Sequence, residues 1–448
     1  MTETLDNSVH RFLSSFELFE KSLNGQSSSE LHEVRKAALA RFAELGFPTT
    51  RDEEWRFTNV APIAKTQFGA VLRSAVQDVG QADIDGFTFG GPDTSRLVFV
   101  DGHFSAHLSR IGPLPDGAKV GSLAAALDTD RTIVERYLTR NAPFVDNAFT
   151  ALNTAFMYDG AFICVPDGGT TRDPIHLLFI STGGDASFVS HPRNLIVAGQ
   201  NSQLSVVESY VNLRTNVYFT NAVTEIVVGQ GAIVEHDKLQ NESGRAFHVG
   251  TMHVHQGGAS TFTSNSVSIG GALVRNNVNA VLEAEGCECT LNGLSLATGS
   301  QHVDNHTLID HAKPLCVSHE LYKSILDGKA RGVFNGKIYV RKDAQKTDAK
   351  QTNKTLLLSD DATIDTKPQL EIFADDVKCT HGATVGQLDE EQVFYLRSRG
   401  IPLESARDIL TFAFASDVVK RVHVEPLREQ LGQIIQRHLQ QGRLTQEP

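Results

Sequence analysis

The chain lacks most of the marks of the common specialised protein classes. Its 448 residues include five cysteines, three methionines and one tryptophan. The cysteines, Cys164, Cys287, Cys289, Cys316 and Cys379, are odd in number and too sparse for a disulfide framework, so free thiols in a reduced protein are expected. No apolar run reaches the roughly 18 residues that a membrane-spanning helix needs. The opening stretch Met1-Thr2-Glu3-Thr4-Leu5-Asp6-Asn7 is acidic and has no apolar core, unlike a secretory signal. These absences point to a cytoplasmic protein without membrane contact. Positive charge is not in excess either: 41 basic against 53 acidic residues give a net charge of −12, which argues against nucleic acid as a partner. Four motifs are missing as well: G-x-x-x-x-G-K-[ST], G-x-G-x-x-G at a strand-to-helix junction, G-x-S-x-G and H-E-x-x-H. The chain itself is therefore expected to bind no ATP and has no anchor for hydrolase or zinc-protease chemistry.

With 40% hydrophobic and 21% charged residues the chain is not disordered, and its length allows about three domains or one large core with appendages. Residues 1–160 read as mainly helical. Leu13, Phe16, Phe19 and Leu23 recur at helical spacing, and Leu31 to Leu45 ends at Gly46 and Pro48. Arg51 to Phe57 holds the tryptophan, Trp55. Leu97 to Val100 reads as a buried strand, and Asn147 to Met157 as a short helix. Residues 161–386 differ in texture, with short β-branched and aromatic runs between Gly, Asn, Asp and Ser turns. Ile196-Val197-Ala198-Gly199-Gln200 recurs as Ile226-Val227-Val228-Gly229-Gln230. The turn glycines Gly199, Gly229, Gly257 and Gly286 return every 28 to 30 residues. No helical crossover fits between these strands, so the period favours a stack of β coils over a sandwich. Residues 387–448 turn helical again. Asp389 to Arg399 is one helix and Leu427 to Leu439 a polar one expected to lie exposed. Ser405 to Val422 carries Ile409, Leu410, Phe412, Phe414, Val418 and Val419 in a broad apolar stripe that must pack on this chain or on a partner.

Three pairs of metal-type ligands stand two residues apart: His253/His255, Cys287/Cys289 and Cys379/His381. On a strand that spacing sends both side chains to one face, and thiolate with imidazole suits iron, zinc or copper. The plainer reading of each pair is a small buried thiol or a histidine bonded to a neighbour. His302, His306 and His311 have no standard ligand spacing and read as structural or surface residues. Cys379-Thr380-His381-Gly382, preceded by Asp375-Asp376, is the strongest candidate because it sits where strands give way to helices.

The stretch Ala330-Arg331-Gly332-Val333-Phe334-Asn335-Gly336-Lys337-Ile338 continues through Gln351-Thr352-Asn353-Lys354 and Thr366-Lys367-Pro368-Gln369-Leu370. With Lys378-Cys379-Thr380-His381-Gly382-Ala383-Thr384-Val385-Gly386 and Tyr395-Leu396-Arg397-Ser398-Arg399-Gly400 it resembles the SufB/SufD family of iron–sulfur cluster assembly proteins, in a form that looks like the SufD side. The resemblance implies a mainly β fold, a right-handed parallel β-helix over 161–386 flanked by helical domains at 1–160 and 387–448. It implies a non-enzymatic scaffold that pairs with a SufB-like subunit through its β-helix and docks a SufC-like ATPase on its C-terminal helices, with a homodimer possible in isolation. No cofactor would be bound permanently. A transient cluster would be shared with the SufB-like partner, with His381 as a ligand and Cys379 beside it. Ile409, Leu410, Phe412 and Phe414 would face or support the partner. A SufB-like paralogue, a carbohydrate-active β-solenoid using Asp375 and Asp376, and a cupin-like metalloenzyme using His253 and His255 are the alternatives. Adjacent strand residues point to opposite faces, so Asp375 and Asp376 cannot flank one glycosidic bond.

Overall fold

The structure is a computed structural model that describes residues 2–23, 29–70, 79–91, 93–183 and 186–444. Met1 of the acidic opening stretch and residues 445–448 lie outside them. Strands make up 40% of the chain and helices 27%, so the fold is mainly β. The centre is a parallel β-solenoid of about 8 turns. The chain alternates between two sheets, so each strand pairs in parallel with the one two places on. Gln203–Asn212 pairs with Ile233–Glu242 in one sheet, and Tyr218–Val228 pairs with Phe247–Gln256 in the other.

The corners explain the sequence period. Asn201, Gly231, Ala259, Gly286, Leu315 and Lys346 all have left-handed backbones, with φ from 52° to 73°, and each precedes a strand of the same sheet. Gly199, Gly229 and Gly257 stand in a different column. A Cβ on Gly229 would lie 2.7 Å from the Gly199 carbonyl carbon, so these glycines let one coil rest on the next. Gly286 therefore belongs to the left-handed column, and Ala284 fills the position three residues before the strand-preceding Cys287.

The solenoid interior is apolar along much of its length, through residues such as Ile226, Val254, Phe262, Ala280 and Ile309. It is interrupted by a buried ionic network. Glu208 pairs with His236 at 3.0 Å, Glu242 with His248 at 2.7 Å, and Lys238 reaches His248 at 3.0 Å. Burial alone would raise the Glu208 carboxyl, but His236 and Lys238 hold it down to about 2.

Helical segments cover the outer faces. Phe42, Phe47, Trp55 and Phe149 pack on Phe219, Phe247 and Leu273 of one sheet. A seam fixes this contact: Arg275 lies 4.2 Å over the Trp55 ring and donates to the Glu54 carbonyl and to Asp304. The C-terminal helices Leu403–Val419 and Glu425–Leu444 pack on the other sheet through Val418, Val419, Leu427, Leu431 and Ile435, against Leu239, Val267, Leu294 and Ile325. The last helix is thus not free in solution as its polarity suggested, because Leu427, Leu431 and Ile435 fall on one face at four-residue spacing.

The first 160 residues are not purely helical. Arg96–Val100 pairs in parallel with Ile175–Ser181, and Lys119–Ser122 pairs antiparallel with Ala161–Val165. These strands cover both sheet edges at the start of the solenoid.

Candidate site at the open end of the solenoid

The other end has no such cover. Thr363–Ile372 and Lys378–Gly386 are the terminal strands of their sheets, each paired on one side only among the described residues. Eight of the nine residues of Lys378–Gly386 are exposed and none is buried, whereas Arg331–Val340, one coil further in than Thr363–Ile372, is mostly buried. An exposed edge carries unpaired N–H and C=O groups that can template another strand.

Register shows which way the motif faces. Cys379, His381, Ala383 and Val385 stand opposite Ala349, Gln351, Asn353 and Thr355, whose side chains are buried inside the solenoid. The four therefore point along the interior column and are uncovered because the stack ends there. Ile364, Thr366, Pro368, Leu370 and Ile372 do the same in the other sheet, opposite the inward-facing Gly332, Phe334, Gly336, Ile338 and Val340. Pro368 fits this end position, since proline is confined to strands at sheet edges. Ile372, Phe373 and Val385 leave large apolar side chains in the open at 39%, 57% and 46% exposure. Asp376 is paired with Lys346, and Lys337 with Glu371 at 3.1 Å, so the rim is charged and the centre apolar.

The strand spacing puts Cys379 and His381 on one face as expected. His381 is exposed and, among the described residues, held by no hydrogen bond or ion pair. Burial pushes the Cys379 thiol up, so in the isolated chain it stays protonated and a weak nucleophile. Among the described residues no group of three His, Cys, Asp or Glu side chains converges to hold a metal ion. Two soft ligands at an open edge can only contribute to a site that other groups complete.

The other sequence candidates are placed elsewhere. His253 is half-buried and bonded to Asn279 at 3.2 Å, and desolvation lowers it to about 3; His255 bonds Glu283 at 2.8 Å. Cys287 and Cys289 lie in the solenoid core. His302 bonds Thr58, His306 sits between Glu54 and Asp304, and His311 bonds Ser318 inside the solenoid. Of the stripe on Leu403–Val419, Ile409 is 47% exposed, Leu410 is half-buried, and Phe412 and Phe414 pack on the cluster beneath the helix. Phe394, Tyr395 and Leu403 join Ile409 as exposed apolar groups of the C-terminal helices.

Two residues behind the motif were not singled out by their chemistry in the sequence, although Gln351 lies in the stretch that carries the family resemblance. Gln351, in register with His381, donates to Glu320 at 2.6 Å, while its own Oε1 is buried without a partner among the described residues. Burial pushes Glu320 up to about 7. Their inward orientation depends on coil register, which residue spacing alone does not reveal.

Comparison with known proteins gives a consistent result. Residues 179–414 match the family described as SUF system FeS cluster assembly, SufBD core domain, and residues 6–177 match the SufBD protein N-terminal region. The chain is 35% identical over 421 residues, 92% of each chain, to the iron–sulfur cluster assembly SufBD family protein slr0076 of Synechocystis. It is 33% identical over 395 residues to the iron–sulfur cluster assembly protein SufD of Escherichia coli, covering 88% of this chain and 89% of that one. The SufD of Bacillus subtilis is 28% identical over 427 residues, 92% and 94% of the two chains.

Proposed function

The chain belongs to the SufBD family of iron–sulfur cluster assembly proteins, and from that premise we propose that it is the SufD-type scaffold subunit of a heteromeric complex rather than an enzyme. A SufB-like chain would stack on the open end of its solenoid, and a nascent cluster would form as cargo between the two. A SufC-like ATPase would dock on the C-terminal helices, where Phe394, Tyr395, Leu403 and Ile409 are exposed.

The observation that carries this reading is the unequal treatment of the two solenoid ends. Extra strands close the first, while the last presents two unpaired strand edges around apolar inward-facing side chains. Leaving such an end in water is an association hazard that natural folds otherwise cover. A partner coil would bury Ile372, Phe373 and Val385 and supply the remaining ligands. His381 would then give iron a neutral imidazole nitrogen. The Cys379 thiol would lose its proton on binding, which makes its participation pH-dependent.

Co-expression with candidate SufB-like and SufC-like partners, followed by anaerobic purification, tests the proposal. A stable coloured complex is expected, and Val385→Asp should prevent the SufB-like chain from co-purifying. No association by the unaltered chain would overturn the scaffold reading. His381→Ala should fold with stability within about 0.5 kcal/mol of the parent, as exposed unbonded positions do, yet fail to complement a strain that depends on this pathway. Full complementation would remove the ligand role and leave the scaffold role standing.

A further inference from the structure

The sheet corner carrying the left-handed column has a second column immediately after it: Ser202, Ala232, Ser260, Cys287, Cys316 and Thr347. Most members are small donors that tie off the turn. Ser202, Ser260 and Thr347 each donate to the carbonyl three residues back, and the Cys287 thiol does the same to Ala284 at 3.1 Å. Cys316 breaks the pattern. Its sulfur lies 3.5 Å from the Pro314 oxygen, two residues back, and 3.3 Å from that same Ala284 oxygen one coil down, just as the Cys287 sulfur lies 3.1 Å from the Gly257 oxygen of the coil below it.

The two cysteines occupy one rung. Glu288 and Val317 are register partners, and the Val317 N–H donates to the Cys287 carbonyl at 2.9 Å. Neighbouring strands stack about 4.8 Å apart, inside the window of about 4.4–6.8 Å for Cα atoms joined by a disulfide. The two sulfurs share one acceptor, lying 3.1 Å and 3.3 Å from the Ala284 oxygen. We propose that Cys287 and Cys316 form a redox-active dithiol that closes to a disulfide between consecutive coils.

The neighbouring Cys316 lowers the Cys287 thiol below its ordinary value, so Cys287 is the member that ionises. With a peroxide as oxidant, the Cys287 thiolate attacks one peroxide oxygen. The O–O bond breaks, hydroxide leaves and takes a proton, and a sulfenic acid remains. The Cys316 sulfur then attacks the Cys287 sulfur. The S–S bond forms, the S–O bond breaks, and water departs with the proton from Cys316. The two thiols lose two electrons and peroxide gains them, giving two waters. Both cysteines are fully buried, and Leu315, next to Cys316 and 56% exposed, marks the nearest surface from which a small oxidant enters. Cys289, on the adjacent inward position, is fully buried and burial drives its thiol up, so it stays out of the reaction. The inference is independent of the proposed function.

The test uses the full chain, treated with stoichiometric hydrogen peroxide and then denatured for thiol titration and peptide mass mapping. Titratable thiols should fall from the five in the sequence by two, with recovery under dithiothreitol. The cross-link should map to Cys287 and Cys316, vanish in Cys287→Ser and in Cys316→Ser, and persist in Cys289→Ser. Serine fits this column, as Ser260 in the coil below shows, and circular dichroism checks that each variant is folded. Five thiols remaining in the oxidised parent, a loss mapping to Cys379, or a cross-link that survives Cys316→Ser would overturn the proposal.

Discussion

Glu320 offers the most direct quantitative check on the solenoid interior. It is 3% exposed, faces inward, and its ordinary carboxyl value of 4.5 is pushed up to about 7 by burial, with the hydrogen bond from Gln351 offsetting part of the effect. Between these two values the native state holds a proton on Glu320 that the unfolded chain has released. The unfolded state then binds fewer protons, so stability falls as pH rises through this window. At about 1.36 kcal/mol for each tenfold change in proton affinity, the cost at pH 8 is about 3 kcal/mol. Glu320→Gln removes the titration while keeping an oxygen to accept from Gln351. At pH 5 the variant should match the parent within about 1 kcal/mol, and at pH 8 it should be the more stable by up to about 3 kcal/mol. Urea unfolding at pH 5, 6, 7 and 8, followed by circular dichroism, measures the difference between the two proteins. Other titrating groups, such as Asp237, which burial raises to about 6, act on both and cancel. Parallel stability curves for parent and variant would refute the argument and show that the carboxyl is solvated or paired in solution.

The remaining expectations concern the seam, the stack and acid. Asp304 is buried with Arg275, and although burial alone would raise its carboxyl, Arg275 and His306 hold it well below the usual range. Asp304→Ala should cost about 3–5 kcal/mol by leaving a buried guanidinium unpaired, with a change in Trp55 fluorescence because Arg275 lies over that ring. A replacement of both residues by leucine and methionine should recover much of the loss. Gly229→Val should cost at least about 1–3 kcal/mol in thermal or urea unfolding, because the added carbon meets backbone rather than a movable side chain. Glu208, held down to about 2 against its ordinary 4.5, contributes stability above pH 4.5 that is lost as pH falls toward 2. Glu208→Gln should flatten that acid limb in a pH titration of the unfolding midpoint.

Much of the architecture was legible in the residues. Repeated β runs with glycine punctuation, the absence of helical crossovers and the motif from Ala330 to Gly386 were enough for a β-solenoid between helical parts. The Cys379/His381 spacing placed both on one face. The site was legible only as a motif. That its face points along the solenoid axis, and is open because no further coil follows, comes from pairing with Ala349 and Gln351. Of the N-terminal strands, Arg96–Val100 was legible as an apolar run, whereas Lys119–Ser122 was hidden because it is short and polar and draws its stability from the edge it covers. The polar character of the last helix misled for a related reason, since a narrow stripe of Leu427, Leu431 and Ile435 suffices to dock it.

Local chemistry, readable along the chain, determined the turn positions, the alternation of strands, the ends of several helices and the residue types at the motif. Stacking register belongs to the tertiary structure, because coil lengths vary and no residue encodes which distant residue lies above it. That register separated Gly286 from the packing glycines, put Glu320 and Gln351 behind His381, and brought Cys287 and Cys316, which looked like unrelated members of an odd set of five, onto one rung.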